Sequence, residues 1–369
     1  MNKKLIKQCF CIAGGGVLFL IPLIMKNPYW LSVMISIFVF ASMSSSLRLM
    51  ELMGHTSLGH VGFMLLGAYC SSLLVIHTGI SFWISLFIAA MSCMVVAFLL
   101  GYPFLKVRGI YFVILSLLTA ETFRLTASNL DITGGINGLM NIPPLEPIII
   151  GTIVVSFEST SNAYYLMLVL LVVVSLIMYK LEHSEIGFYW KAISSSEGLC
   201  RSVGINVTLH KMVNFSLASG IAGLTGAFYA QYQQVLSPDF TSAFGILSSV
   251  FLLVYVYIGG KDYFLGPFVG TSLMLLVPEF VRISEQYVPL VIGAVAICTV
   301  LFLPDGILGG AIKIGKWISL KSTHLKSGTG RERRSRLNSL RPKVFQSVLE
   351  AYMPYPILVS VCAPRKLWG

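Results

Sequence analysis

Runs of about twenty apolar residues, parted by short polar breaks, recur along most of this chain and narrow what it can fold into. A helix of that length matches the roughly 30 Å hydrocarbon layer of a bilayer, and only helices and closed barrels satisfy every backbone group there. Such runs stand near 9–25, 29–47, 57–76, 81–105, 110–128, 164–180, 212–231, 243–259, 263–281 and 287–303. They predict an all-α, polytopic transmembrane bundle of about ten spans. Composition agrees, since 56% of residues are hydrophobic and 11% charged, against about 25% charged in soluble domains. The N-terminal run has the basic start of a signal peptide but no small-residue cleavage site, and reads as a retained first span. Seven cysteines form no Cys-x-x-Cys pair, so neither disulfides nor a metal site is expected.

The formal charge of +11 invites a nucleic-acid reading, but its placement excludes one. Residues 311–369 carry twelve Lys and Arg against Glu332 and Glu350, a balance of +10 that leaves the membrane portion near neutral. The chain therefore divides into a transmembrane domain, 1–310, and a basic tail, 311–369, with a cluster RERRSR suited to anionic lipid or simply solvated. Short loops rich in Lys and Arg stay cytoplasmic. With the N-terminus inside, that side receives Lys3, Lys4, Lys7, Arg48, Lys106, Arg108, Lys180, Lys191, Arg201, Lys211, Lys261 and the tail. The outside receives only Lys26 and Arg282, and the external loop 129–163 holds Asp131, Glu146 and Glu158 with no basic residue. Both termini are expected in the cytoplasm.

That orientation makes SSSEGLCRSVGINVTLHK, residues 194–211, a cytoplasmic segment. Ser194 with Glu197 three residues later fits a capping box, predicting a helix from Ser195 to about Val203. Gly204 suits the left-handed residue that ends a helix, with Ile205 falling back on Cys200. Glu197 in the first turn and Arg201 in the last suit the helix dipole, and Leu199 and Val203, four apart, share one face. About nine residues is too short to be stable alone. The apolar face either packs on its own bundle or enters a groove on a cytoplasmic partner.

Other groups carry possible chemistry. Glu121 and Arg124 lie three apart, well inside the run 110–128, where ionisable groups face a bundle interior or a water-filled cavity. They form a structural ion pair or line a path. Small residues recur about one turn apart at Gly59, Gly62, Gly67 and Ala68 and again at Ser216, Gly220, Gly223, Ala227 and Ala230, the spacing by which spans pack closely in lipid. His60 is a weaker candidate for the same path. No GxxxxGK[ST] phosphate loop occurs, since GGKD at 259–262 lacks its earlier glycine and its hydroxyl residue. Nor does any catalytic constellation stand out, so ATP hydrolysis would belong to other chains.

Stretches in order along residues 30–310 carry a family resemblance: SLGHVGFMLLGAY (57–69), VRGIYFVILSLLTAETFRL (107–125), TGGINGL (133–139), the run from Gly187 to Lys211, LASGIAGLTGAFYAQY (217–232) and FLPDGILGG (302–310). The chain resembles the M-type permease subunits of branched-chain amino-acid ABC importers, which usually have glutamine where His55 stands. The resemblance implies a bacterial inner-membrane subunit with a second permease subunit, two ATPase subunits and an external substrate-binding protein as partners, and no cofactor. It implies that the 185–211 loop couples to the ATPases through Ser194, Glu197, Leu199, Arg201, Val203 and Gly204. It places the 129–163 loop under the binding protein, while Glu121, Arg124 and His60 stand, on their own chemistry, as the candidates for the translocation path or its gate. A permease for urea or another small polar solute, or an ion-coupled transporter in which Glu121 titrates, are the alternatives.

Overall fold

The computed structural model describes residues 27–281, apart from 108, 151, 152, 158, 240 and 241, together with pieces of 16–24 and of 287–313. The chain divides into two compact units, 1–311 and 312–369, and the helical bundle is the first of them.

Helix α1, Pro28–Glu51, opens on proline with the Asn27 side chain accepting from the Tyr29 amide at 3.1 Å, a start that suits a residue with no N–H to leave unpaired. Helices α2 (His60–Thr78), α3 (Phe82–Phe104) and α4 (Ile110–Asn129) follow. After a long connection come α5 (Thr160–Glu182), the short α6 (Glu185–Ser195) and α7 (Glu197–Ser202), then α8 (Val207–Gln233), α9 (Ile246–Gly259) and α10 (Gly266–Val281). Five of these, α1 to α5, are long and apolar enough to cross a membrane.

The remaining expected spans differ in instructive ways. Helix α8 has 27 residues, ample length, but is more polar than α1 to α5 because most of it is buried in the bundle rather than turned to lipid. At 14 and 16 residues α9 and α10 reach only about 21 and 24 Å, less than the hydrocarbon thickness. The spans expected at 9–25 and 287–303, and the basic tail, lie largely outside the described residues. To the helical bundle the structure adds one small feature that the all-α expectation did not include: Ile148–Ile150 (β1) and Ile153–Val155 (β2) pair as an antiparallel hairpin in the long connection. These β-branched residues favour a strand over a short helix.

The core is built around α8, which packs most extensively on α3 and α2, with α1 buried against α5, α8 and α10. Where α2 crosses α8, Gly67 faces Gly223, and a Cβ on either would strike backbone or the Cys93 thiol; the small residues let the axes approach. Phe63 fills the space beside this crossing, edge-on to Phe123 at 5.6 Å and to Phe215 at 5.4 Å.

The bundle has two chemically distinct ends. At one, the C-terminal residues of α1 and α5, the α9–α10 turn, α6, α7 and the start of α8 come together. At the other, the connection after α4 pairs with the segment after α8 through the Leu139–Leu236 bridge. Two 3-10 turns, Asp131–Thr133 and Gly135–Asn137, lead into that bridge.

Candidate functional site

Helix α6 is held flat on the bundle by Trp190, fully buried, and Ile193. Its first turn is capped by Ser184, whose Oγ accepts from the Gly187 amide at 3.4 Å. This packing carries α6 through Ser194 and Ser195, so the predicted helix start is corrected. Ser194 is not a cap but an exposed residue in the last turn of α6, its Oγ beside Gly54. The break falls at Ser196, extended at φ −159° and making no side-chain cap hydrogen bond. Glu197 is then the first residue of α7 rather than its third, which removes the capping box.

The C-terminal end follows the expectation. Gly204 is left-handed at φ +86°, and the Ile205 amide donates to the Cys200 carbonyl at 3.0 Å, the bond that closes a Schellman motif. Glu197 holds this six-residue helix from two sides. It accepts from Arg201 at 2.7 Å along α7 and from Lys211 of α8, only 3% exposed, at 3.0 Å. Cys200 is buried behind the helix, while Leu199 and Val203 stand 69% and 74% exposed. The bundle thus fixes α7 from behind and leaves its apolar face open.

His55 lies under this loop in the segment joining α1 to α2, edge-on to Phe112 at 5.4 Å. Burial and the nearby Lys211 ammonium lower its pKa below the ordinary value, against smaller opposing effects from the Met53 carbonyl and Glu197.

At the opposite end, Glu121 and Arg124 form the expected pair along α4. The guanidinium Nε donates to Glu121 Oε2 at 2.8 Å, a second nitrogen meets Oε1, and a third donates to the Pro238 carbonyl at 2.9 Å. The pair lies in the second half of α4, with Arg124 about 7.5 Å from its end, so it is nearer the membrane edge than its place in the apolar run suggested. Only 22% of the apolar window of α4 is buried, the least among α1 to α5. Its open side is apolar along Tyr111, Ile114, Leu118 and Leu125 and carries Thr122 and Thr126 beside the partly exposed pair. The open sides of α3 (Phe87, Met91, Val95, Leu99) and α5 (Val169, Val172, Leu176) are apolar throughout. Lipid suits those two faces and most of α4, and suits least the stretch of α4 that holds Glu121 and Arg124.

His60 does not share that face. It is buried at the start of α2, its Nε2 2.7 Å from Ser46 Oγ, which in turn donates to the Ala218 carbonyl. It joins α1, α2 and α8. Among the described residues, no group of His, Cys, Asp and Glu is arranged to hold a metal ion.

The sequence reading missed a third constellation. Arg48 of α1 and Glu182 of α5 form a buried two-point ion pair at 2.9 and 3.2 Å, and Lys191 of α6 reaches Glu182 at 3.1 Å. The only sequence signal was Arg48 near the inner end of an apolar run, where it served to set orientation.

The family model described as "Branched-chain amino acid transport system / permease component" matches residues 29–300. The chain belongs to this permease family. It is 31% identical over 278 residues to the high-affinity branched-chain amino acid transport system permease protein LivM of Salmonella typhimurium, across 70% of this chain and 64% of that protein. It is also 31% identical over 281 residues to LivM of Escherichia coli, with the same coverage. The match thus spans about 64% of the length of these relatives. No solved structure matches the chain.

Proposed function

We propose that this chain is the membrane-spanning subunit of an ATP-driven importer for branched-chain or similar amino acids. It forms part of the translocation path and takes its energy from separate ATPase subunits. The observation that carries this reading is the open Leu199–Val203 face on a helix braced from behind by Glu197 and Lys211. An exposed apolar pair on a fixed short helix suits insertion into a groove on a partner.

The chain would sit in a bacterial inner membrane in about ten spans with both termini cytoplasmic. A second permease subunit, two ATPase subunits and an external binding protein would complete the importer. The 185–211 loop is then the coupling element and the 129–163 loop the outer platform. The basic tail would lie against anionic lipid. The exposed Thr122 and Thr126 beside Glu121 and Arg124 support this pair as part of the path, where it could meet a solute's amino and carboxylate groups. His60, shut away between three helices, is better placed to hold their packing than to line that path.

Solute selection would rest largely on the binding protein, and ATP-driven closure of the ATPases would shift the bundle between its open states by differential affinity. The test is reconstitution of the chain with the products of its neighbouring genes in proteoliposomes. Leucine-loaded binding protein should raise ATP hydrolysis and drive leucine uptake. Accumulation on a proton or sodium gradient without the ATPases would refute the proposal.

A further inference from the structure

We propose that the Arg48–Glu182 ion pair is the joint that passes displacement of α6 and α7 to α1 and to the α9–α10 turn. This rests on the reading that α7 receives an ATPase subunit, and it names residues to which that reading gave no role.

Glu182 is the last residue of α5, two before the Ser184 cap of α6. The corner between these helices is tight: a Cβ on Gly187 would run into the carbonyls of Leu181 and Glu182. Helix α6 therefore cannot swing without moving the backbone that carries Glu182. One carboxylate oxygen, Oε1, is shared between Lys191 of α6 and Arg48 of α1, at 3.1 and 3.2 Å. Lys191 is half exposed and Arg48 is 2% exposed. A displacement at the surface thus acts on the same oxygen that the buried guanidinium grips.

Arg48 extends the connection. Its Nε donates to the Lys261 carbonyl at 2.8 Å, and its guanidinium lies over the Phe264 ring at 5.8 Å. That turn is itself stiff, since Gly259 and Gly266 meet backbone to backbone with no room for a side chain. One planar fork thereby ties together the ends of α1 and α5, the exposed α6 and the α9–α10 hairpin. The fork fixes directions as well as distances. Stability alone does not account for it, because apolar residues of similar volume often replace a buried pair without loss. A geometric role does: packed elements respond to a small shift at one site by moving as units.

The test has two arms, the first independent of any partner. In a background without the native cysteines, spin labels at Ser195→Cys and Asp262→Cys report the distance from α6 to the α9–α10 turn in nanodiscs. Glu182→Gln and Arg48→Lys should each broaden that distribution. An unchanged distribution overturns the joint, whatever docks on α7. In the second arm, proteoliposomes of the full importer carrying either variant should keep ATPase binding and hydrolysis but move about fivefold less solute per ATP. Hydrolysis and uptake that fall together at a constant ratio would mean a static staple and overturn the proposal. Leu199→Glu in the same assay tests the docking reading separately. If that variant still binds the ATPase, the docking reading fails, and the label distances still decide the joint.

Discussion

Truncating the open face of α7 with Leu199→Ala and Val203→Ala tests the coupling reading at its centre. The change removes three carbons from Leu199 and two from Val203, each worth about 0.8 kcal/mol when moved from water into an apolar site. Leu199 is 69% and Val203 74% exposed in the chain alone. Full burial by a partner would therefore recover about 1.7 and 1.2 kcal/mol from the deleted groups. The sum of about 3 kcal/mol corresponds to roughly 100-fold in ATPase-subunit affinity. The bundle itself should not notice, because neither side chain is part of its core. The assay is titration of labelled ATPase subunits onto the nanodisc-embedded permease, with thermal unfolding of the permease measured in parallel. Weaker binding at an unchanged midpoint is expected. Unaltered affinity, or a fall in midpoint that accounts for the lost binding, would refute the assignment of this face.

Other perturbations reach different parts of the molecule. Gly223→Leu should separate α3 from α8 and destabilise the bundle by about 1–3 kcal/mol or more through overpacking, seen as a lower unfolding midpoint, since the Cys93 thiol of α3 already fills that space. Glu197→Gln should weaken the bracing of α7 by leaving the Lys211 ammonium buried without its countercharge, at a cost of about 1–3 kcal/mol given the partial exposure of Glu197; faster hydrogen exchange across 197–205 would report it. Glu121→Gln and Arg124→Gln should each lower uptake while sparing ATPase binding, checked by uptake and co-purification on the same preparations. For His55, the folded-state pKa lies below the unfolded value near 6.5. The unfolded chain therefore takes up the proton first as pH falls, and stability declines from pH 7 toward the folded pKa. His55→Gln should flatten that part of the pH dependence of unfolding.

The positions of α1 to α5 were legible because lipid demands apolar runs of one characteristic length, and the sequence has to write that demand locally. Helix α8 was legible by its small residues as much as by hydropathy. The hairpin at 148–155 was missed although its strands, III and IVV, are β-branched throughout; reading for membrane runs hides a strand signal. The C-terminal cap of α7 was written in one glycine, whereas its start was decided by Trp190 and Ile193 packing α6 onto the bundle, a tertiary effect that outweighed the local Ser194–Glu197 pattern. Glu121 and Arg124 were found because partners three apart on a helix are visible in sequence. Arg48 and Glu182 were not, because 134 positions separate them and only the fold brings them together.

The three ion-pair groups among the described residues differ in what surrounds them, and the difference sorts their roles. At the α6–α7 end, Arg48 with Glu182 and Lys211 with Glu197 each join a nearly inaccessible cation on a long helix to a carboxylate at or beside the short surface helices. Both cations are anchored in the bundle, so force on the surface helices has two charged routes inward and few ways to dissipate. The Glu121–Arg124 pair lies toward the other end within a single helix, and among the described residues it hydrogen-bonds beyond that helix only to the Pro238 carbonyl. It joins no two spans through charge, and it stands beside the exposed Thr122 and Thr126 at the polar end of an otherwise apolar open face. A pair with no joining duty at the polar end of its helix is suited to water and solute, and that asymmetry is the physical reason for proposing coupling at one end of this permease and solute contact toward the other.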